Sequence, residues 1–107
     1  MRYRHTMVRI RDIDQSLDFY CNQLGLVETR RSERPEFKYT LIFLAAPGDV
    51  ERAKADRTGE LELTYNHDPE DYASGRNFGH LAYEVDDIYA CCKSLMDAGV
   101  TINRPPR

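Results

Sequence analysis

Two histidines and a glutamate, His5, Glu62 and His80, are the residues of this 107-residue chain whose types suit metal chemistry. Neutral imidazole is a good ligand for zinc, nickel, cobalt or iron, and a carboxylate adds hard oxygen donors. Their separations, 57 and then 18 residues, form no compact metal motif. If they act together, strands must bring them together. Side chains on a strand alternate between its two faces. In "HTMVRI", Val8 and Ile10 share one face, with His5, Met7 and Arg9 on the other. In "GELELTYN", Leu61, Leu63 and Tyr65 oppose Glu60, Glu62 and Thr64. In "FGHLAYEV", Leu81, Tyr83 and Val85 oppose His80, Ala82 and Glu84. Packing each apolar face against a helix puts His5, Glu62 and His80 on the face turned away from the helices. Single polar residues on strands are ordinarily solvated, and Glu60 and Glu84 are read that way. His67 sits in a polar connection with no strand to hold it and is also read as solvated.

The elements that must position these groups follow from periodicity. "HTMVRI" is a strand. Ile13, Leu17, Tyr20, Cys21 and Leu24 recur at helical spacing behind Asp12, an N-cap with Gln15 three residues on, and Gly25 stops that helix. "LVETRR" is a second strand, "SERPE" a turn or loop, and "FKYTLIFLA" a third strand. Residues 47–58 read as a long, polar, mobile loop. "ELELTYN" is a fourth strand, followed by the connection "HDPEDYASGRN". "FGHLAYEV" is a further strand. "DDIYACCKSLMDAG" is a helix capped by Asp86 or Asp87 and ended by Gly99, and "VTIN" begins a last strand.

A shift of 75 residues places His5 on His80, Asp12 on Asp87 and Ile13 on Ile88. An internal repeat fixes architecture. The repeated unit is βαβββ, complete over residues 1–66. Residues 67–107 supply a linker and an incomplete second copy. The expected class is α+β with paired βαβββ modules, the second lacking its last two strands. A partial copy leaves an open sheet edge and an unfilled core, which a longer chain or a partner would complete. The repeat also predicts a second glutamate on the strand that is lacking.

Composition narrows the alternatives. A formal charge of −3 offers no broad basic face for nucleic acid. No apolar run approaches the ~20 residues that span a bilayer, and "MRYRHTMVRI" has no signal-peptide core. Cys21, Cys91 and Cys92 lack metal-type spacing and read as structural thiols in a reducing cytoplasm.

The stretches "RHTMVRIRDIDQSLDFYCNQLGLVETRRSERPEFKYTLIFL", "ELELTYNHD" and "GHLAYEVDDIYACCKSLMDAGVTINR" closely resemble the glyoxalase I (lactoylglutathione lyase) family of the vicinal-oxygen-chelate superfamily. The resemblance covers essentially the whole chain apart from the loop at 47–58. It implies metal ligands at His5 from "HTM", Glu62 from "LELTYN" and His80 from "GHLAY". The family's fourth ligand, a glutamate on the last strand, lies past the end of this chain. It implies that Arg9 and Asn66 hold the carboxylate of the γ-glutamyl arm of glutathione. The implied reaction isomerises the methylglyoxal–glutathione hemithioacetal to S-D-lactoylglutathione through an enediolate. The family's terminal glutamate is its main proton shuttle. Glu62 is the one base left here, alongside its role as a ligand. The resemblance further implies a divalent metal, nickel or cobalt with zinc as the alternative, glutathione as cosubstrate, and a homodimer. In that dimer His5 and Glu62 come from one subunit and His80 from the other.

Other readings predict different residues. Extradiol dioxygenases order their ligands His, His, Glu, whereas this chain reads His, Glu, His. Methylmalonyl-CoA epimerases would place glutamine at Glu62. A small-molecule-binding protein of the bleomycin-resistance kind needs no ligand set. An inactive truncated fragment would keep these residues without the activity.

Overall fold

The computed structural model describes residues 1–73 and 75–106, with backbone alone at Leu81. The reading of Leu81 as helix-facing therefore lies outside the described side chains. The elements are β1 (Arg2–Ile10), α1 (Ile13–Leu17), β2 (Val27–Arg34), β3 (Tyr39–Ala45), α2 (Val50–Asp56), β4 (Glu60–Asn66), β5 (Phe78–Glu84) and α3 (Ile88–Asp97). The first four strands and α1 follow the expected βαβββ order. The strands form one mixed sheet in the order β2-β3-β4-β1-β5. β1 runs parallel to β4 and antiparallel to β5.

The helix-facing side is built from the alternating apolar positions. Ile10, Ile42, Leu44 and Leu63 are its buried centre, and Val8, Ile13, Leu17, Tyr20, Cys21, Leu26, Leu61 and Tyr65 pack around them. Burying a residue such as Leu63 is worth roughly 1.5–3 kcal/mol, so this face fixes the sheet's orientation. A slip of one residue in any strand would turn its apolar set outward.

Asp12 caps α1, its carboxylate accepting the Gln15 N–H at 2.8 Å. Asp87 caps α3 in the same extended conformation, accepting from the N–H groups of Tyr89 and Ala90. Gly25 and Gly99 end the two helical segments at φ +86° and +90°, a conformation that costs a side-chain-bearing residue more than glycine. The Asp12/Asp87 correspondence read from the repeat thus has the same local geometry at both sites.

Four expectations are corrected. The helix after Asp12 is α-helical only to Leu17 and widens to a π-helix over Asp18–Gln23. There the Asp18 carboxylate accepts from the side chains of both Asn22 and Gln23. β2 continues through Ser32–Arg34, and the turn expected from "SERPE" is a short 3₁₀ turn at Pro35–Phe37. The supposed mobile loop at 47–58 contains a 3₁₀ turn (Pro47–Asp49) and then α2, which buries Ala53. "VERAKAD" is made of good helix formers but is too short for periodicity to show. "VTIN" forms no strand. α3 buries none of its residues, and Ile88, Leu95 and Met96 remain exposed. Among the described residues, the second copy contributes β5 to the first module's sheet and builds no sheet of its own.

Candidate metal centre

β1 lies between β4 and β5, and this order assembles the donors. Met7 pairs with Glu62 on one side and with His80 on the other, and His5 stands two residues before Met7 on the same strand. All three side chains project from the face opposite the core. The Nε2 atoms of His5 and His80 are 3.0 Å apart. Glu62 Oε2 is 2.7 Å from His5 Nε2 and 3.6 Å from His80 Nε2. The face expected from strand alternation is therefore the face observed. The division expected between two subunits is not: one chain gathers all three donors.

Burial differs among the donors and acts on His5 and Glu62 in different senses. The His5 side chain is 15% exposed and that of Glu62 8%, whereas that of His80 is 45% exposed. Burial holds the His5 pKa below its ordinary 6.5, with His80 and Arg4 adding to the effect. His5 is thus neutral near pH 7, the form that ligates metals. Burial also raises the Glu62 pKa above 4.5, opposed by His80 and Arg30. His5 and Glu62 lie close enough for an ion pair, yet burial, opposed by the charge of Glu60, still lowers the His5 pKa.

The cluster fits a divalent ion. Metal–nitrogen and metal–oxygen bonds of about 2.0–2.2 Å at tetrahedral or octahedral angles place neighbouring donors roughly 3–3.5 Å apart. The three observed separations bracket that range. With the ring protons on Nδ1, all three atoms turn lone pairs toward one point, where a cation can accept them together. Among the described residues, His5 Nδ1 is buried with no hydrogen-bond partner.

The two residues implied for substrate binding lie away from this cluster. Arg9 donates from Nη1 to the carbonyls of Arg76 and Phe78, at 3.2 and 3.1 Å. It lines an open cavity of about 350 Å³ with Arg11, Tyr72 and Asn77. Asn66 donates weakly to the hydroxyl of Tyr72, at 3.4 Å. Tyr72 therefore links the surroundings of Arg9 and Asn66 at one end of β1 and β4. His67 is exposed and outside the cluster, with its Nε2 3.0 Å from the Thr40 hydroxyl.

Glu60 corrects the sequence reading. Expected to be solvated, it is 3% exposed, and its carboxylate accepts from Arg30 at 3.0 Å and from Thr29 at 2.7 Å. Glu84, also expected to be a free surface acid, is exposed and pairs with Arg4 at 2.6 Å across β1 and β5. A break in the β1–β5 register between Tyr3 and His5, at Arg4, accompanies that pair. Alternation within one strand carried no sign of either partner, because both come from neighbouring strands.

This sheet is a βαβββ scaffold on whose open face two imidazoles and a carboxylate converge as a candidate metal site. A profile of the Glyoxalase/Bleomycin resistance protein/Dioxygenase superfamily matches residues 2–107, and the chain belongs to that family. It is 44% identical over 104 residues to the lactoylglutathione lyase of Haemophilus influenzae, covering 97% of this chain and 73% of that one. It is 42% identical over 105 residues to a probable lactoylglutathione lyase of Vibrio cholerae, covering 98% of this chain and 72% of that one. Among solved structures, the trypanothione-dependent glyoxalase I of Leishmania major superposes with a TM-score of 0.59 at 33% identity. That match covers all of this chain and 73% of the other.

Proposed function

We propose that this chain is a glyoxalase I, a lactoylglutathione lyase that isomerises the methylglyoxal–glutathione hemithioacetal to S-D-lactoylglutathione. The observation that carries the reading is the convergence of His5, Glu62 and His80 in a family member whose relatives bear that name. The reaction moves a proton between adjacent carbons of a weak carbon acid. A divalent metal, nickel or cobalt with zinc as the alternative, would be held by His5, Glu62 and His80 and would supply Lewis-acid stabilisation of negative charge on the substrate oxygens.

The chain's own residues set the rest. Burial favours the neutral His5 ring, whose non-protonated nitrogen can offer a lone pair to a cation. Glu62 is a ligand in this reading. Its raised pKa also brings it closer to the range useful to a base that takes and returns a proton. The half-exposed His80 marks the open side of the centre, where a substrate can approach. Arg9 and Asn66 are assigned to the γ-glutamyl carboxylate of glutathione. Their support is a guanidinium lining an open cavity and the neighbouring amide, both bordering Tyr72. A homodimer is part of the proposal, and the exposed Ile88, Leu95 and Met96 of α3 offer apolar area for a second copy to cover. Three free cysteines suit a reducing cytoplasm. No helix of the described residues is long and apolar enough to cross a membrane.

The test is direct. Purified chain is loaded with nickel, cobalt or zinc and given methylglyoxal and glutathione, and thioester absorbance is followed. Metal-dependent thioester formation, lost in Glu62→Gln, is the expected result. No thioester with any of the three metals contradicts the activity.

A further inference from the structure

Glu60 is a buried charge that the donor cluster does not use. Its side chain is wholly covered, on the same face of β4 as Glu62. Taking the Glu60 carboxylate out of water is costly, with Arg30 still 31% exposed, and apolar side chains of similar volume often serve stability as well or better. Stability alone therefore gives no reason for the Glu60–Arg30 pair. The Glu60 carboxylate accepts from Arg30 Nη2 at 3.0 Å and anchors the guanidinium beside Phe43. The guanidinium carbon lies 3.4 Å from the centroid of the Phe43 ring, a cation–π contact. Phe43 is 4% exposed and meets the His5 ring near-perpendicularly, with centroids 5.9 Å apart and planes at 76°.

The register makes this a continuous row. Arg30 stands opposite Phe43, Phe43 opposite Glu62, Glu62 opposite Met7 and Met7 opposite His80. Glu60 stands opposite His5 itself. A ligating histidine is usually oriented by a hydrogen bond from its other ring nitrogen. Among the described residues His5 Nδ1 is buried without one, and the ring packs against Phe43 instead.

We infer that Glu60 and Arg30 are positioning residues for the metal centre, orienting the His5 ring through Phe43 where Nδ1 makes no hydrogen bond. The inference rests on the metal reading above. It makes this pair a determinant of metal affinity and coordination geometry, although neither residue is a ligand.

Cobalt(II) is the probe, because its visible absorption bands report coordination geometry independently of turnover. Metal-free parent, Glu60→Gln, Arg30→Met and Arg30→Lys are titrated with Co²⁺, and folding is checked by circular dichroism. Thr58→Val is the control: Thr58 is 5% exposed and bonded to Asp56, outside the row. Affinity is expected to fall about 10–100-fold with shifted bands in all three row variants, the range typical when a partner behind a ligand is lost. Arg30→Lys keeps the charge without the flat face and should behave like Arg30→Met. The control should keep the parent's bands. If Glu60→Gln does not fold, Phe43→Leu interrupts the same row at its contact with His5 and should give the same shift. Folded row variants with the parent's bands and affinity overturn the inference, as does an equal shift in the control. A parent that takes up no Co²⁺ overturns the metal reading as well, and that result is visible before any variant is compared.

Discussion

The Nε2 atoms of His5 and His80 lie 3.0 Å apart although 75 residues separate them in the chain. That spacing is also the offset of the internal repeat. Each histidine sits on the first strand of its copy, and those two strands, β1 and β5, pair antiparallel. The repeat thus supplies the two imidazoles, and β4, parallel to β1, supplies Glu62 from β1's other side. The geometry makes specific demands on the residues involved.

Glu62→Gln removes the one charged donor of the cluster. Loss of a ligand should exceed the ~10–100-fold effect typical of residues behind ligands. Nickel affinity, measured by isothermal titration, should fall by more than about 100-fold. Unchanged affinity would reject Glu62 as a ligand.

An ion held by the folded chain and not by the unfolded one should raise the melting temperature at saturation. The stabilisation is about 2.7 kcal/mol when free metal is a hundredfold above Kd. Chelator should reverse the shift, and His80→Ala should largely abolish it. A thermal scan in which His80→Ala responds as the parent does would remove His80 from the site.

Leu63 is fully buried in the apolar centre beneath β4. Leu63→Ala should cost about 2–5 kcal/mol of unfolding free energy, read from urea denaturation. A cost under about 1 kcal/mol would place Leu63 outside the core, contrary to the strand register.

Asp18 gives a pH test at the π-helix. Hydrogen bonds from Asn22 and Gln23 hold its carboxyl below the ordinary 3.8. A pKa depressed in the folded state contributes stability above pH 3.8, lost as pH falls through the lowered value. The melting-temperature gap between the parent and Asp18→Asn should therefore narrow below pH 3.8. A gap constant from pH 6 to pH 2 would contradict those hydrogen bonds.

Much of the site was legible because period-2 alternation is a local rule. Val8, Ile10, Leu61 and Leu63 marked the buried face, so His5 and Glu62 had to occupy the other. Asp12 and Asp87 announced their helices because capping depends on a few adjacent residues. The features that were missed depend on partners distant in sequence or on very short segments. Glu60 looks like Glu62 along its strand, and only Arg30 and Thr29, two strands away, make it a buried ion-pair member. α2 spans seven residues, fewer than two apolar repeats. The π-helix needs a widened turn that helical spacing tolerates without signalling. The gathering of all three donors within one chain follows from β5 pairing with β1, a tertiary choice that no local pattern encodes.

The central claim is that these three side chains hold one ion. A crystal of the chain grown with nickel and measured at the nickel absorption edge tests it most directly. The account predicts a single strong anomalous peak per chain, within bonding distance of His5 Nε2, a Glu62 carboxylate oxygen and His80 Nε2. Nickel bound elsewhere, or no peak between these residues, would contradict it.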